Sequence, residues 1–110
     1  MNRYQNGREI KEGDICAYSE MDGQGKMSYA DSVGVITNGR YVSHCNRMGG
    51  DLSDFMMYID ENPAELSYHS TDNDGNIIDL VKLDINEEDI SIDFAESYFI
   101  KLRDGILNAL

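Results

Sequence analysis

Apolar and polar residues alternate over two neighbouring stretches, and that alternation predicts the first element of the fold. Ser32-Val33-Gly34-Val35-Ile36-Thr37 and Arg40-Tyr41-Val42-Ser43-His44-Cys45 flank Asn38-Gly39. A two-residue type I′ turn needs positive φ at both central positions, which Asn and Gly tolerate best, so the pair predicts a β-hairpin. The turn sets the register: Thr37 faces Arg40, Ile36 faces Tyr41, Val35 faces Val42 and Val33 faces His44. Opposed residues share a face. Val33, Val35 and Val42 therefore form one apolar side, with Ile36, Tyr41 and Cys45 on the other.

Shorter signals surround the hairpin. Residues 1–12 read as a polar, flexible start, and Glu12-Gly13-Asp14 launches a strand at Ile15-Cys16-Ala17-Tyr18. Residues 21–26 form a glycine-containing loop. Beyond the break at Arg47-Met48-Gly49-Gly50, the period changes. Leu52, Phe55, Met56 and Ile59 fall at i, i+3, i+4 and i+7, which predicts a short central helix with one core face. Asp51 or Ser53 would be its N-cap, and Pro63 limits its length. A loop over 67–74 leads to a mostly buried strand over 77–85.

Asn86 as a cap, followed by Glu87, Glu88 and Asp89 at the positive end of the dipole, predicts a C-terminal amphipathic helix over 87–103. Ile90, Phe94, Tyr98 and Leu102 repeat every fourth residue, and Gly105 is a plausible terminator. Ile90-Ser91-Ile92-Asp93-Phe94 also alternates as a strand would, although periodicity favours the helix. The expected class is α+β: one domain over 1–110, a small antiparallel sheet with a central and a C-terminal helix. A chain of 110 residues with ten aromatics can build one core.

Gly13-Asp14-Ile15, the hairpin after a long loop, and Gly75-Asn76-Ile77-Ile78-Asp79-Leu80-Val81-Lys82-Leu83 resemble segments of small SH3-like barrels. Many little proteins of phages and other mobile elements are similar. The resemblance implies an open barrel-like sheet. It implies no activity, because fold alone does not fix function.

Charge changes the picture more than composition does. Residues 1–50 hold six acids and six bases, so the whole net charge of −12 belongs to residues 51–110. Within residues 72–96, Asp72, Asp74, Asp79, Asp84, Glu87, Glu88, Asp89, Asp93 and Glu96 stand against Lys82 alone. These nine acids are the candidate surface for a protein partner with a basic face. One concrete form is a mobile-element inhibitor that mimics nucleic acid. Direct nucleic-acid binding is not expected. Six bases do interleave with Tyr4, Tyr18, Tyr29 and Tyr41, but the net charge repels phosphates.

Candidate chemistry is sparse. Asp72-Asn73-Asp74-Gly75 fits part of a calcium loop, but that register puts Ser70 at its first position and Val81 where the bidentate Glu belongs. A tight turn explains the same residues. His44 and Cys45 adjoin on a strand, so their side chains point to opposite faces and cannot pair. His69 has no second His at ligand spacing. Cys16 and Cys45 read as core thiols of a reducing cytoplasm. Met1-Asn2-Arg3-Tyr4 is too polar for a signal-peptide core, and no apolar run is long enough to cross a membrane.

The expectation is a non-enzymatic, cofactor-free cytoplasmic interaction module, monomeric or paired through Met56, Met57 or residues 106–110. The alternative is a small ligand-binding barrel or enzyme whose site only the fold reveals.

Overall fold

The computed structural model describes residues 2–19, 30–48 and 55–84. Strands β1 (Ile15–Tyr18), β2 (Ser32–Thr37), β3 (Arg40–Arg47), β4 (Phe55–Met57) and β5 (Leu80–Lys82) form one sheet. Their order is β4-β3-β2-β1-β5, and every neighbouring pair is antiparallel. β2 and β3 are the predicted hairpin. Asn38 and Gly39 have φ of 54° and 72°, as the turn type requires, and Thr37, Ile36 and Val35 face Arg40, Tyr41 and Val42.

The register then slips. Gly34 pairs with Ser43 and Val33 with Cys45, leaving His44 as the extra residue of a β-bulge. Gly34 permits this close approach, because a Cβ there would run into the carbonyl oxygen of Val42 and the Cα of Ser43. The expected pairing of Val33 with His44 is thereby corrected. Cys45 moves to the valine side, and Asn46 takes the place opposite Ser32.

The α+β expectation is also corrected: the described residues are all-β. Their one helical element is a 3₁₀ turn at Leu66–Tyr68. In place of the central helix, β4 pairs with the outer edge of β3, setting Met56 opposite Asn46 and Phe55 opposite Arg47. Pairing there satisfies backbone groups of β3 that would otherwise lack partners. Met56 is 56% exposed and Ile59 47% exposed, so these two members of the expected core face are not buried. Four apolar positions were too short a pattern to separate a helix from an edge strand. The C-terminal helix over 87–103, with its rival strand over 90–94, lies outside the described residues.

The core on one sheet face gathers Tyr4, Cys16, Ile36, Tyr41, Leu66, Ile77 and Leu80. The N-terminal segment is tied to it. Ile77 N–H donates to the Arg3 carbonyl at 2.7 Å, and Gly13 N–H to that of Ile36 at 2.9 Å. The predicted strand over 77–85 shortens to Leu80–Lys82, because the chain bends at Ile78 and Asp79 before joining β1. Among the described residues no helix is long and apolar enough to cross a membrane.

Candidate functional site

The core face of the sheet has two polar ends, and their geometry differs. One end is closed. The Tyr4 hydroxyl donates to Asp14 Oδ2 at 2.7 Å, and Lys11 N–H donates to the same oxygen at 3.0 Å. The Lys82 ammonium lies 3.5 Å from Asp14 Oδ1. A phenol has one proton. With that proton directed at Asp14, the contact of 3.2 Å between Tyr4 and Cys16 Sγ is a thiol donating to the phenolic oxygen.

Burial pushes the Cys16 thiol up to about 12, so it is no nucleophile. Burial, with Cys16 and Asp14 alongside, keeps the Tyr4 phenol protonated far above its ordinary range. Burial also opposes ionisation of Asp14. Its hydrogen bonds from Lys11 and Tyr4 and the Lys82 charge outweigh that, and hold the carboxyl below its usual value.

The other end is open, around a cavity of about 340 Å³. Its floor comes from three strands. Tyr18 of β1, Ser32 of β2, and Tyr41, Ser43 and Asn46 of β3 all line it. Tyr18 stands opposite Ser32 and Ser32 opposite Asn46, so the bulge brings an amide rather than a thiol to this wall. Tyr18 and Tyr41 stack with ring centroids 5.8 Å apart. The Tyr41 hydroxyl sits 2.8 Å from Ser32 Oγ, and burial holds its phenol well above the usual value.

The remaining walls are loops pinned to the sheet. Tyr58 N–H donates to His44 O at 2.8 Å and Asp60 N–H to Ser43 O at 3.0 Å, which extends the line of β4. The 3₁₀ turn is held by Leu66 N–H donating to Gly39 O and by the Arg40–Glu65 ion pair at 3.6 Å. This turn delivers Tyr68 and His69. Tyr58 and Tyr68 are 54% and 80% exposed at the mouth.

His69 meets the rings of Tyr18 and Tyr41 edge-on, at 5.7 and 6.1 Å. Its Nδ1 lies 3.1 Å from both oxygens of Asp79, and both side chains are almost fully buried. Ser70 N–H donates to Asp79 Oδ2 at 3.2 Å, and the Asp79 carbonyl accepts from Ser19 N–H. Among the described residues the lining thus holds four tyrosine rings, two carboxylates (Asp60 and Asp79), one imidazole and no Lys or Arg.

Of the four described acids among the nine singled out from the sequence, Asp79 alone lines this cavity. Asp72 Oδ1 caps a turn, accepting Asp74 N–H and Asn76 N–H at 2.9 Å each, with Gly75 at φ 83°. Asp74 and Asp84 are exposed. Glu87, Glu88, Asp89, Asp93 and Glu96 lie outside the described residues. Among the described residues, no three His, Cys, Asp or Glu side chains converge as metal ligands. The cavity residues absent from the sequence reading come from four separated segments, so their spacing carries no signal. The alternation that placed Tyr41 beside Ile36 was the one available pointer. Comparison with family models, curated proteins and solved structures finds no match.

Proposed function

We propose that the chain is a small acidic interaction module that binds a basic protein partner and seats one of its cationic side chains in the cavity. One observation carries this reading: among the described residues the lining combines tyrosine faces with carboxylates and contains no Lys or Arg. A cation over a tyrosine ring gains about 0.5–1 kcal/mol at an exposed site and more when desolvated. A net charge of −12 adds long-range attraction. Met56, opposite Asn46 in the ladder, extends the cavity's face with an exposed apolar side chain for the body of the partner.

The test is titration of the full chain with basic and acidic peptides at low and high salt. Basic peptides should bind, weaken as salt rises, and lose most affinity to the double variant Tyr58→Ala, Asp60→Asn. Equal binding of acidic peptides, or indifference to that variant, overturns the reading.

A second reading, a small enzyme, is favoured by the His69–Asp79 pair alone, because an imidazole oriented by a carboxylate is equipped to accept a proton from substrate or water. Turnover of a chromogenic ester that disappears in His69→Gln would support it; no turnover above buffer would end it.

A further inference from the structure

We infer that the cavity selects a cation bearing N–H donors, an arginine side chain of the partner, and that His69 is the acceptor that reads those donors. This rests on the cavity being the seat of a cationic group. An ionised carboxylate only accepts hydrogen bonds. Facing an ionised Asp79, His69 Nδ1 is the donor, its proton held by two oxygens at 3.1 Å. Ser70 N–H and the edge-on rings of Tyr18 and Tyr41 fix both partners of the pair.

In the neutral imidazole with its proton on Nδ1, the lone pair lies at Nε2, and this is the form the inference assigns to His69. Among the described residues no hydrogen bond is made to Nε2, and His69 lines the cavity. Asp60 supplies a second acceptor. Its backbone is fixed on β3 and its Oδ1 takes Asn62 N–H at 2.9 Å, while neither oxygen meets a cationic side chain among the described residues.

Two such acceptors beside tyrosine faces fit a planar guanidinium. It carries five donors in one plane and stacks on aromatic rings. A fully methylated ammonium satisfies the rings but leaves both acceptors unpaired and desolvated, which is costly. Arginine is thus favoured both by what it donates and by its shape.

The experiment uses the full chain and three blocked Gly-X-Gly peptides, with X arginine, citrulline or trimethyllysine. Binding is followed by calorimetry and by tyrosine fluorescence, which no tryptophan obscures. Arginine should bind about tenfold tighter than either of the others. His69→Phe, which keeps a ring and removes the acceptor, should cut that preference to less than about twofold. In Asp79→Asn the new amide can donate to Nδ1, moving the proton to Nε2, and arginine binding should fall about tenfold.

Nitrogen NMR of the unmodified protein, with the His69 signals assigned by their loss in His69→Phe, reads the tautomer even where a variant folds poorly. A proton on Nδ1 alone supports the assignment; a proton on Nε2, in either the other tautomer or the imidazolium, overturns it. Trimethyllysine binding as tightly as arginine overturns donor selection while leaving the cation seat standing. Binding of none of the three removes both.

Discussion

At one end of the sheet face, the Tyr4 hydroxyl donates a hydrogen bond to Asp14, which also accepts from Lys11 N–H and faces the Lys82 ammonium. At the other end, Tyr18 and Tyr41 stack beside a carboxylate that holds a histidine, and two further tyrosines stand exposed around them. Both ends use tyrosine and aspartate on one core. They differ in what is left over. In the closed end the acid meets a cation of its own chain, and its hydrogen-bonding groups are spent on folding. In the open end the described lining has two acids, one of them holding His69, and no Lys or Arg, which leaves Asp60 and the ring faces without a cationic side chain among the described residues. Residue type does not decide between these outcomes; the presence of an internal cation does.

The largest test is Ile77→Ala. Ile77 is fully buried in the core that both ends share, and truncation should cost about 2–5 kcal/mol in urea unfolding. A loss below about 1 kcal/mol would mean that the two ends do not rest on a common core.

Tyr4→Phe separates them. It leaves Asp14 and Cys16 without the phenol and should cost about 1–3 kcal/mol, with arginine-peptide affinity unchanged. Altered affinity in a folded Tyr4→Phe protein would break the division into a structural and a binding end.

Acid sharpens the same contrast. The Asp14 carboxyl is held below its ordinary value of 3.8, so it binds its proton less readily folded than unfolded. The stability it contributes is complete above that value, and drains as pH falls from there through the folded-state value. Over that interval unfolding free energy should fall more steeply in the unmodified protein than in Asp14→Asn. Parallel slopes would remove Asp14 as the source.

The smallest expected effect on folding is at the rim. Tyr68→Ala should change stability by no more than about 0.5 kcal/mol, because its ring is 80% exposed. It should lower arginine-peptide affinity by about two- to fivefold, the worth of one exposed cation–π contact. A stability loss comparable to that of Tyr4→Phe would show that the rim is structural after all.

The hairpin was legible because Asn38-Gly39 is a local signal: turn conformation and register follow from two residues and their sterics. The slip at Gly34 was not. Its cause is a close backbone approach that the missing Cβ allows, and a lone glycine in a strand does not announce its direction. β4 was misread because Phe55, Met56 and Ile59 suit a helix by spacing, while the unfilled edge of β3 decides their conformation from outside the segment. The cavity was the least visible part. His69 stood out as a solitary histidine in a polar loop and Asp79 as one acid among nine. The bend at Ile78 and Asp79 that joins them depends on Ile78 N–H reaching Ser70 O, a contact between segments.

The bulge at His44 has one more consequence. Along a regular strand every wall residue has the same parity, and a cavity wall reads as all odd or all even positions. β3 changes phase once, so Tyr41 and Ser43 below the extra residue and Asn46 above it serve the same wall. A count of alternation over the whole strand averages two opposed phases and detects neither. One strand can thereby lend a phenol, a hydroxyl and an amide to one cavity while sending its cysteine thiol to the opposite side of the sheet.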